Sequence, residues 1–451
     1  MPEPTYVVKL KPHQAPRRAA LLGELDIELT ERCNNACIHC LINQPENDAD
    51  VRSGEMDTAF VKDILRQAAD LGCLTVRFTG GEPLLRDDFA ELYLFARRLG
   101  MHVILFTNAR RITPELAQLF ARIAPGRVVE VTVYGMHAES YDAAAASRGA
   151  FAEFWRGVEL LREYNIPFIV KQSVLPPNRA ESAEFEAFAA TLPRMEKQPG
   201  YTMNFELRAR RDNPAKNRFI QTLRLSPDET VAMLARDPNY RKSMREFAGK
   251  FMGPPGDKLF NCGAGHGTCV DAYGKAQMCM GLRHPAMVYD LRGDDVGADL
   301  GVCPDSGDHT TGDRAMGDHT GSPLRYALTE FFPRLRETRA TNTDYMNRCA
   351  RCFLKGLCEQ CPAKSWMEHG TLDRPVEYLC QVAHAQARYL GLVAENEKAW
   401  EVVGWRERVA RFARDEGFRA AATFRNPQKR SGANGTANAK ERSDGSVTRR
   451  V

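Results

Sequence analysis

A chain of 451 residues with 43% apolar and 27% charged residues is long enough for two domains, and it contains no run approaching the about 18 apolar residues a membrane span needs. Its formal charge of +4 resides wholly in the tail from Asn426, where six basic residues face Glu441 and Asp444, so the remainder is neutral and offers no nucleic-acid face. The start "MPEPTYVVKLKPHQ" lacks an apolar h-region, so a cytoplasmic location is expected, and thirteen cysteines in a reducing compartment read as metal ligands or catalytic thiols.

Residues 25 to about 207 alternate strand-like and helix-period segments. Strands are expected at 24–29, 74–79, 102–107, 127–133, 167–174 and 201–207, with helices at 56–71, 87–99, 114–123, 150–164 and 182–191 between them. Strands joined by helical crossovers imply parallel βαβ units, in an open doubly wound sheet or a curved partial barrel. Either way the chemistry sits at the C-terminal strand ends. From 208 to 260 the pattern turns polar and helical, with a turn at "MGPPGD", 252–257. A Gly-rich insert at about 292–322 repeats Gly-Asp-His-Thr and reads as a mobile loop, and 382–400 and 403–416 read as closing helices. The tail from 425 reads as disordered.

The first strand runs into "ERCNNACIHCL", which places Cys33, Cys37 and Cys40 on one loop. Three thiols are one short of a closed iron or zinc site. His39 is a poor fourth ligand, because a neighbour of Cys40 must double back to meet the same metal. A zinc knuckle completed from elsewhere, or cysteines that are only structural, are the plainer readings. The second strand ends in "VRFTGGEPLLR", where Gly80 and Gly81 permit close backbone approach and Glu82 offers a carboxylate that could grip an ammonium group.

Together, Cys33/Cys37/Cys40 and Gly80-Gly81-Glu82-Pro83, in this strand order, resemble the radical S-adenosylmethionine (SAM) superfamily. The resemblance implies a partial (β/α)6 TIM-type barrel. It also implies a 4Fe-4S cluster on the three thiolates with its fourth iron left for SAM, whose reductive cleavage gives a 5′-deoxyadenosyl radical. By position, Gly80, Gly81 and Glu82 would meet the methionyl amino group and the backbone at His39 would lie against adenine. Thr107 and Asn108, in "FTNA", would line the pocket, and Thr132 would contact ribose. Arg77, alternating inward with Thr79, is a candidate to face substrate or the SAM carboxylate.

The later cysteines are Cys262, Cys269 and Cys279, then Cys349, Cys352, Cys358 and Cys361 in "RCARCFLKGLCEQCPA", and finally Cys380. C-x2-C-x5-C-x2-C by itself suggests metal binding, with a zinc ribbon as the rival. The set, with Gly274 ahead of Cys279, resembles the SPASM extension of radical SAM enzymes, although two residues separate Cys358 from Cys361 where three are commoner. Carried over, the resemblance implies two auxiliary 4Fe-4S clusters, one on Cys262, Cys269, Cys279 and Cys361 and one on Cys349, Cys352, Cys358 and Cys380. Cys73 and Cys303 are left as non-ligands. The implied organisation is an N-terminal extension (1–24), the barrel (25–225), a helical bridge (226–260), a cysteine-rich SPASM domain (261–400), a C-terminal helix (401–424) and the basic tail (425–451).

Enzymes of this type oxidatively modify ribosomally made peptides or proteins, by crosslinks or side-chain oxidation. The resemblance thus implies a peptide or protein substrate, with a separate peptide-recognition protein as a possible aid and an electron donor such as flavodoxin or ferredoxin. Sulfatase maturation is disfavoured, because Met280 stands where that class carries an Asp. The alternatives are a radical SAM dehydrogenase or cofactor-biosynthesis enzyme acting on a small molecule, and a non-catalytic iron–sulfur or zinc protein.

Overall fold

The computed structural model describes residues 21–195, 199–265, 267–293 and 322–414. The Gly-Asp-His-Thr insert, Cys303 and the basic tail lie outside the described residues. In chain order the strands are β1 (Glu24–Thr30), the short pair β2 (Arg32–Cys33) and β3 (Gln44–Pro45), β4 (Thr75–Gly80), β5 (His102–Thr107), β6 (Gly126–Val133), β7 (Phe168–Ser173), β8 (Gly200–Thr202), β9 (Thr268–Val270), β10 (Lys275–Gln277) and β11 (Val288–Asp290). The crossovers carry α1 (Ala49–Gly54), α2 (Thr58–Asp70), α3 (Phe89–Arg98), α4 (Pro114–Arg122), α5 (Ala138–Ala145), α6 (Ala150–Glu163) and α7 (Ser182–Ala190). Beyond β8 lie α8 (Pro214–Leu223), α9 (Pro227–Leu234) and α10 (Tyr240–Phe251). The cysteine-rich region holds α11 (Pro323–Tyr326), α12 (Phe332–Arg336), α13 (Thr343–Asn347), α14 (Pro362–His369) and α15 (Glu377–Leu390), and α16 (Trp405–Arg414) follows.

A nine-stranded sheet runs β11-β10-β9-β1-β4-β5-β6-β7-β8. Every pair from β1 to β8 is parallel, as the crossovers demand, and β8 pairs only with β7, which leaves the barrel open. Alternation along the strands sets the two faces. On β4, Val76 and Phe78 enter the core against the helices, whereas Arg77 turns inward and pairs with Asp26 of β1. Arg77 also holds Glu24 at 2.5 Å and stands 4.9 Å from the Phe106 ring, while its Nε is buried without a partner. The caps follow the sequence: Asp57 accepts from the Phe60 N–H at 2.7 Å and Thr113 from the Leu116 N–H at 3.3 Å.

Two features depart from the expected elements. The strand expected over 201–207 stops at Thr202, because the Phe205 carbonyl accepts from Arg224 Nε at 2.8 Å and residues 203–206 turn to line a cavity. The sheet also continues past β1 into the cysteine-rich region. There β9 pairs in parallel with β1, and β10 and β11 follow as antiparallel neighbours.

That junction is held by buried charge. Arg283, whose side chain is 1% exposed, grips both oxygens of Glu28 on β1 and donates to Glu31 Oε1 at 2.8 Å. Arg210 bridges Glu31 and Asp271 at 2.9 Å each, and Tyr273 donates to Glu31 Oε2 at 3.1 Å. Burial raises the Glu28 carboxyl to about 7, with Arg283 pulling it the other way. Removing one partner strands the others without water. We expect Arg283→Met to destabilise the fold by about 3–5 kcal/mol, measured by urea unfolding.

Candidate active site

The cysteine loop starts where β1 ends, and it is clamped from three sides. The Ala36 and Ile38 N–H groups donate to the carbonyls of Ala145 and Ala144, at the end of α5, at 2.9 and 3.1 Å. Arg110 donates to the Asn34 carbonyl, to Asn35 Oδ1 at 2.5 Å and to Ser147 Oγ at 3.0 Å. The third clamp is the end of β4. The Gly81 N–H donates to the Thr30 carbonyl at 2.7 Å and the Glu82 N–H to that of Arg32 at 2.9 Å. The approach leaves no room for side chains. A Cβ on Gly80, where φ is +127°, would lie 2.1 Å from the Thr30 oxygen, and one on Gly81 would lie 2.2 Å from that of Arg32.

Glu82 is fully buried and faces the protein's own donors. It accepts from the Asn108 N–H at 2.8 Å, from Thr107 Oγ1 at 2.9 Å and from the Leu84 N–H at 3.1 Å. Burial raises its carboxyl to about 7. Its oxygens tie β4 to β5. Thr107 and Asn108 are likewise buried, and the Asn108 amide reaches Asn34 Oδ1 at 2.8 Å and Cys33 Sγ at 3.8 Å.

Cys33 and Cys40 accept N–H groups from Asn35 and Asn43, each at 3.3 Å. Burial pushes the Cys37 thiol up to about 12, with Cys40 nearby adding to the shift and Tyr134 opposing it by a hydrogen bond. Burial raises Cys33 as well, with Cys37 and Glu82 adding to the shift. Thiols so placed ionise only beside a strong positive charge, which is what iron supplies, and a thiolate set suits an iron–sulfur group. His39 packs its ring 4.8 Å from that of Phe205 and 5.8 Å from that of Tyr134. Its Nδ1 is buried and has no partner.

A cavity of about 610 Å³ opens beside this loop. His39, Thr132, Tyr134, Lys171 and Ser173 line it from the barrel, and Glu206, Cys358 and Lys364 line its far wall. Gly80, Gly81, Glu82, Thr107 and Asn108 support the cysteine loop and are not in that lining. Tyr134, Lys171 and Glu206 went unnoticed in the sequence. The available signal was alternation on β7, which turns Lys171 and Ser173 to one side. The Lys171 ammonium sits 3.7 Å from the Phe106 ring and 3.3 Å from Glu130, and burial lowers its pKa.

A second cavity, of about 260 Å³, gathers Cys349, Cys352, Cys358 and Cys380, with Cys262 and Cys361 also on its wall. Arg348 approaches Cys380 Sγ at 3.5 Å. Cys279 stands within electrostatic reach of Cys361 and Cys262. Cys269 is the central residue of β9, fully buried, and the charges that act on it most are those of Glu28, Arg283, Asp26 and Asp271. Cys73 is buried in the main core, with its thiol donating to the Thr75 carbonyl at 3.1 Å. Among the described residues no three His, Cys, Asp or Glu side chains converge on a single-ion site.

Residues 27–189 match the Radical SAM superfamily. The chain carries a radical SAM domain. It is 32% identical over 154 residues to an AdoMet-dependent heme synthase of Methanosarcina barkeri, covering 34% of this chain and 43% of that one. It is 36% identical over 156 residues to a PqqA peptide cyclase of Xanthomonas euvesicatoria, covering 34% and 40%. The chain thus spans less than half the length of these curated relatives. The fold is similar to that of anSMEcpe solved with bound AdoMet, with a TM-score of 0.52 and 15% identity over 87% of this chain and 99% of that one. The same protein has been solved with AdoMet and a Cp18Cys peptide. Among the described residues no helix is long and apolar enough to cross a membrane.

The glycine clamp yields a direct expectation. Gly81→Ala forces a methyl group into the Arg32 carbonyl and destabilises the protein by about 1–3 kcal/mol in urea unfolding, with faster hydrogen exchange at Ala36 and Ile38. Glu82→Gln turns one acceptor into a donor facing other donors. It should cost about 1–3 kcal/mol by the same measurement.

Proposed function

We propose that this protein is a radical SAM enzyme of the SPASM type that oxidatively modifies a ribosomally synthesised peptide or protein. The observation that carries this reading is the 610 Å³ cavity, which reaches from His39 and Thr132 beside the three-cysteine loop to Cys358 of the C-terminal set. A substrate held there lies between a site that generates a radical and thiols suited to an electron-accepting cluster. When bound, a 4Fe-4S cluster with SAM supplies the electron that cleaves SAM to methionine and a 5′-deoxyadenosyl radical.

In this reading Cys33, Cys37 and Cys40 are the iron ligands, and the thiols around the 260 Å³ cavity hold an auxiliary cluster, with a second on the set that includes Cys279 and Cys361. Gly80 and Gly81 fix the cysteine loop by backbone contact and, with the main chain at Glu82, border the SAM amino group. His39 offers a neutral ring face and an unpartnered Nδ1 towards adenine, and Thr132 offers a hydroxyl towards ribose. Thr107 and Asn108 act through Glu82 and Asn34. Lys171 places a desolvated ammonium where it orients a polar substrate group. A separate recognition protein for the peptide and a flavodoxin or ferredoxin donor complete the scheme, in the cytoplasm.

The likeness to a PqqA peptide cyclase supports a peptide substrate. The likeness to AdoMet-dependent heme synthases supports a second reading, in which the substrate is a small molecule in cofactor synthesis. Anaerobically reconstituted protein should hold about twelve irons per chain and form 5′-deoxyadenosine under dithionite. Replacing Cys33, Cys37 and Cys40 together by Ala should remove about four irons and all SAM cleavage while leaving the remainder bound. Zinc in place of iron, or no SAM binding by calorimetry, would instead support a non-catalytic metal protein. A mass loss of two hydrogens on a short peptide encoded beside the gene supports the peptide reading, and turnover of a porphyrin-type or sugar substrate instead rejects it.

A further inference from the structure

We propose that the first auxiliary cluster is held by the thiolates of Cys262, Cys279 and Cys361 together with the carboxylate of Glu206, and that Cys269 is not among its ligands. This rests on the reading above that auxiliary clusters are present, and it changes how one of them is closed.

Cys269 is excluded by its place in the sheet. It lies at the centre of β9, in register with Asp26 on β1 and with Gln277 on β10, and paired residues on neighbouring strands share a face. That face also holds Asp271, two residues further on, which accepts from Gln277 Nε2 at 3.3 Å. The Cys269 side chain is therefore committed to the buried ion network around Glu28 and Arg283. Reaching the other thiols would require breaking the pairing of β9 with both neighbours. A thiolate at that spot would add a fourth negative charge to Glu28, Asp26 and Asp271.

Glu206 stands where Cys269 does not. Its Oε2 lies 3.8 Å from the point where a Cβ would stand on Gly281, two residues beyond Cys279. It pairs with Lys364 at 3.4 Å, and Lys364 lies in the first turn of α14, whose N-cap is Cys361. The carboxylate thus lies between the Cys279 turn and the Cys361 thiol. Cys279 stands at a turn, its carbonyl accepting from the Leu282 N–H at 3.2 Å, and Cys361 is the N-cap of an eight-residue helix, so neighbouring backbone N–H groups favour the thiolate form at both. Glu206 also lines the 610 Å³ cavity, so one iron would carry an oxygen donor on the substrate side, more readily displaced than a thiolate.

The test uses the full chain with Cys33, Cys37 and Cys40 replaced by Ala, reconstituted anaerobically, so that only auxiliary clusters contribute. Iron is counted and the reduced protein is examined by electron paramagnetic resonance (EPR). Cys269→Ser and, as a less bulky control on folding, Cys269→Ala should keep about eight irons and an unaltered spectrum. Cys279→Ala should lose about four irons. Glu206→Gln should keep the iron but shift one of the two signals, and Glu206→Cys should keep the iron with that signal moved to an all-thiolate form. Iron loss in both Cys269 variants, or an unchanged spectrum in Glu206→Gln, overturns the assignment and leaves the radical SAM reading intact. A parent protein with no auxiliary iron overturns both.

Discussion

The buried ion network around Arg283 is the constraint on which the arrangement of both cysteine regions depends. Arg283 lies four residues beyond Cys279, and its partners Glu28 and Glu31 lie just ahead of Cys33. A single guanidinium therefore spans from the base of one cysteine loop to the turn after another cysteine. Buried charges tolerate no half-made state, because desolvation of each is offset only by its partners. The network forms when β9 and β10 are docked beside β1 and not otherwise. Apolar side chains of similar volume could fill the space, but they would not distinguish one register of β9 on β1 from another. The charges set Cys269 opposite Asp26, and that register decides which cysteines remain free to meet.

Glu82 plays the same part within the barrel. Its carboxylate is the shared acceptor for the end of β5 and the turn after β4, and Asn108 passes that order on to Asn34 and Cys33. Fixing the cysteine loop needs more than the loop's own sequence. It draws on Gly80 and Gly81 for closeness, Glu82 for alignment and Arg110 for a strap to the α5–α6 turn and to α6, through Ser147 and Glu153. Site residues that do not line the cavity thereby act on the geometry of those that do.

The strands β1, β4, β5, β6 and β7 were legible because each is a run of six to eight residues, rich in apolar and β-branched side chains, between turn signals. The end of β8 and the strands β9 to β11 were not, because three residues carry no period and the pairing of β9 depends on a partner far away in the chain. The glycines before Glu82 were readable as a place of close approach, and the contact distances agree with that. The direction of the Glu82 carboxylate was not readable. Residue type announces a charge and says nothing of whether backbone N–H groups already claim it. The face of β9 that Cys269 takes was not readable either. Spacing counts thiols along the chain, whereas a strand allots each side chain to one of two faces.

The cavity between the two cysteine regions belongs to neither alone. Its barrel wall supplies Thr132, Lys171 and Ser173, and its opposite wall supplies Cys358, Glu359 and Lys364. Residues 203–206 border it because they leave the sheet after Thr202, which lets Glu206 pair directly with Lys364. Had β8 run on as a full strand, Glu206 would have been bound to the rim of the barrel and the Cys361 helix would have lost its acidic neighbour. The short strand at the open edge thus puts a carboxylate from the barrel side beside a cation of the C-terminal region. Met280 leaves the position after Cys279 without a charge, so the carboxylate near that turn comes from the barrel side. The cavity holds the cations of Lys171 and Lys364, each with a carboxylate partner, beside the aromatic rings of Phe205 and Tyr134, so its lining is mixed in charge and not wholly apolar.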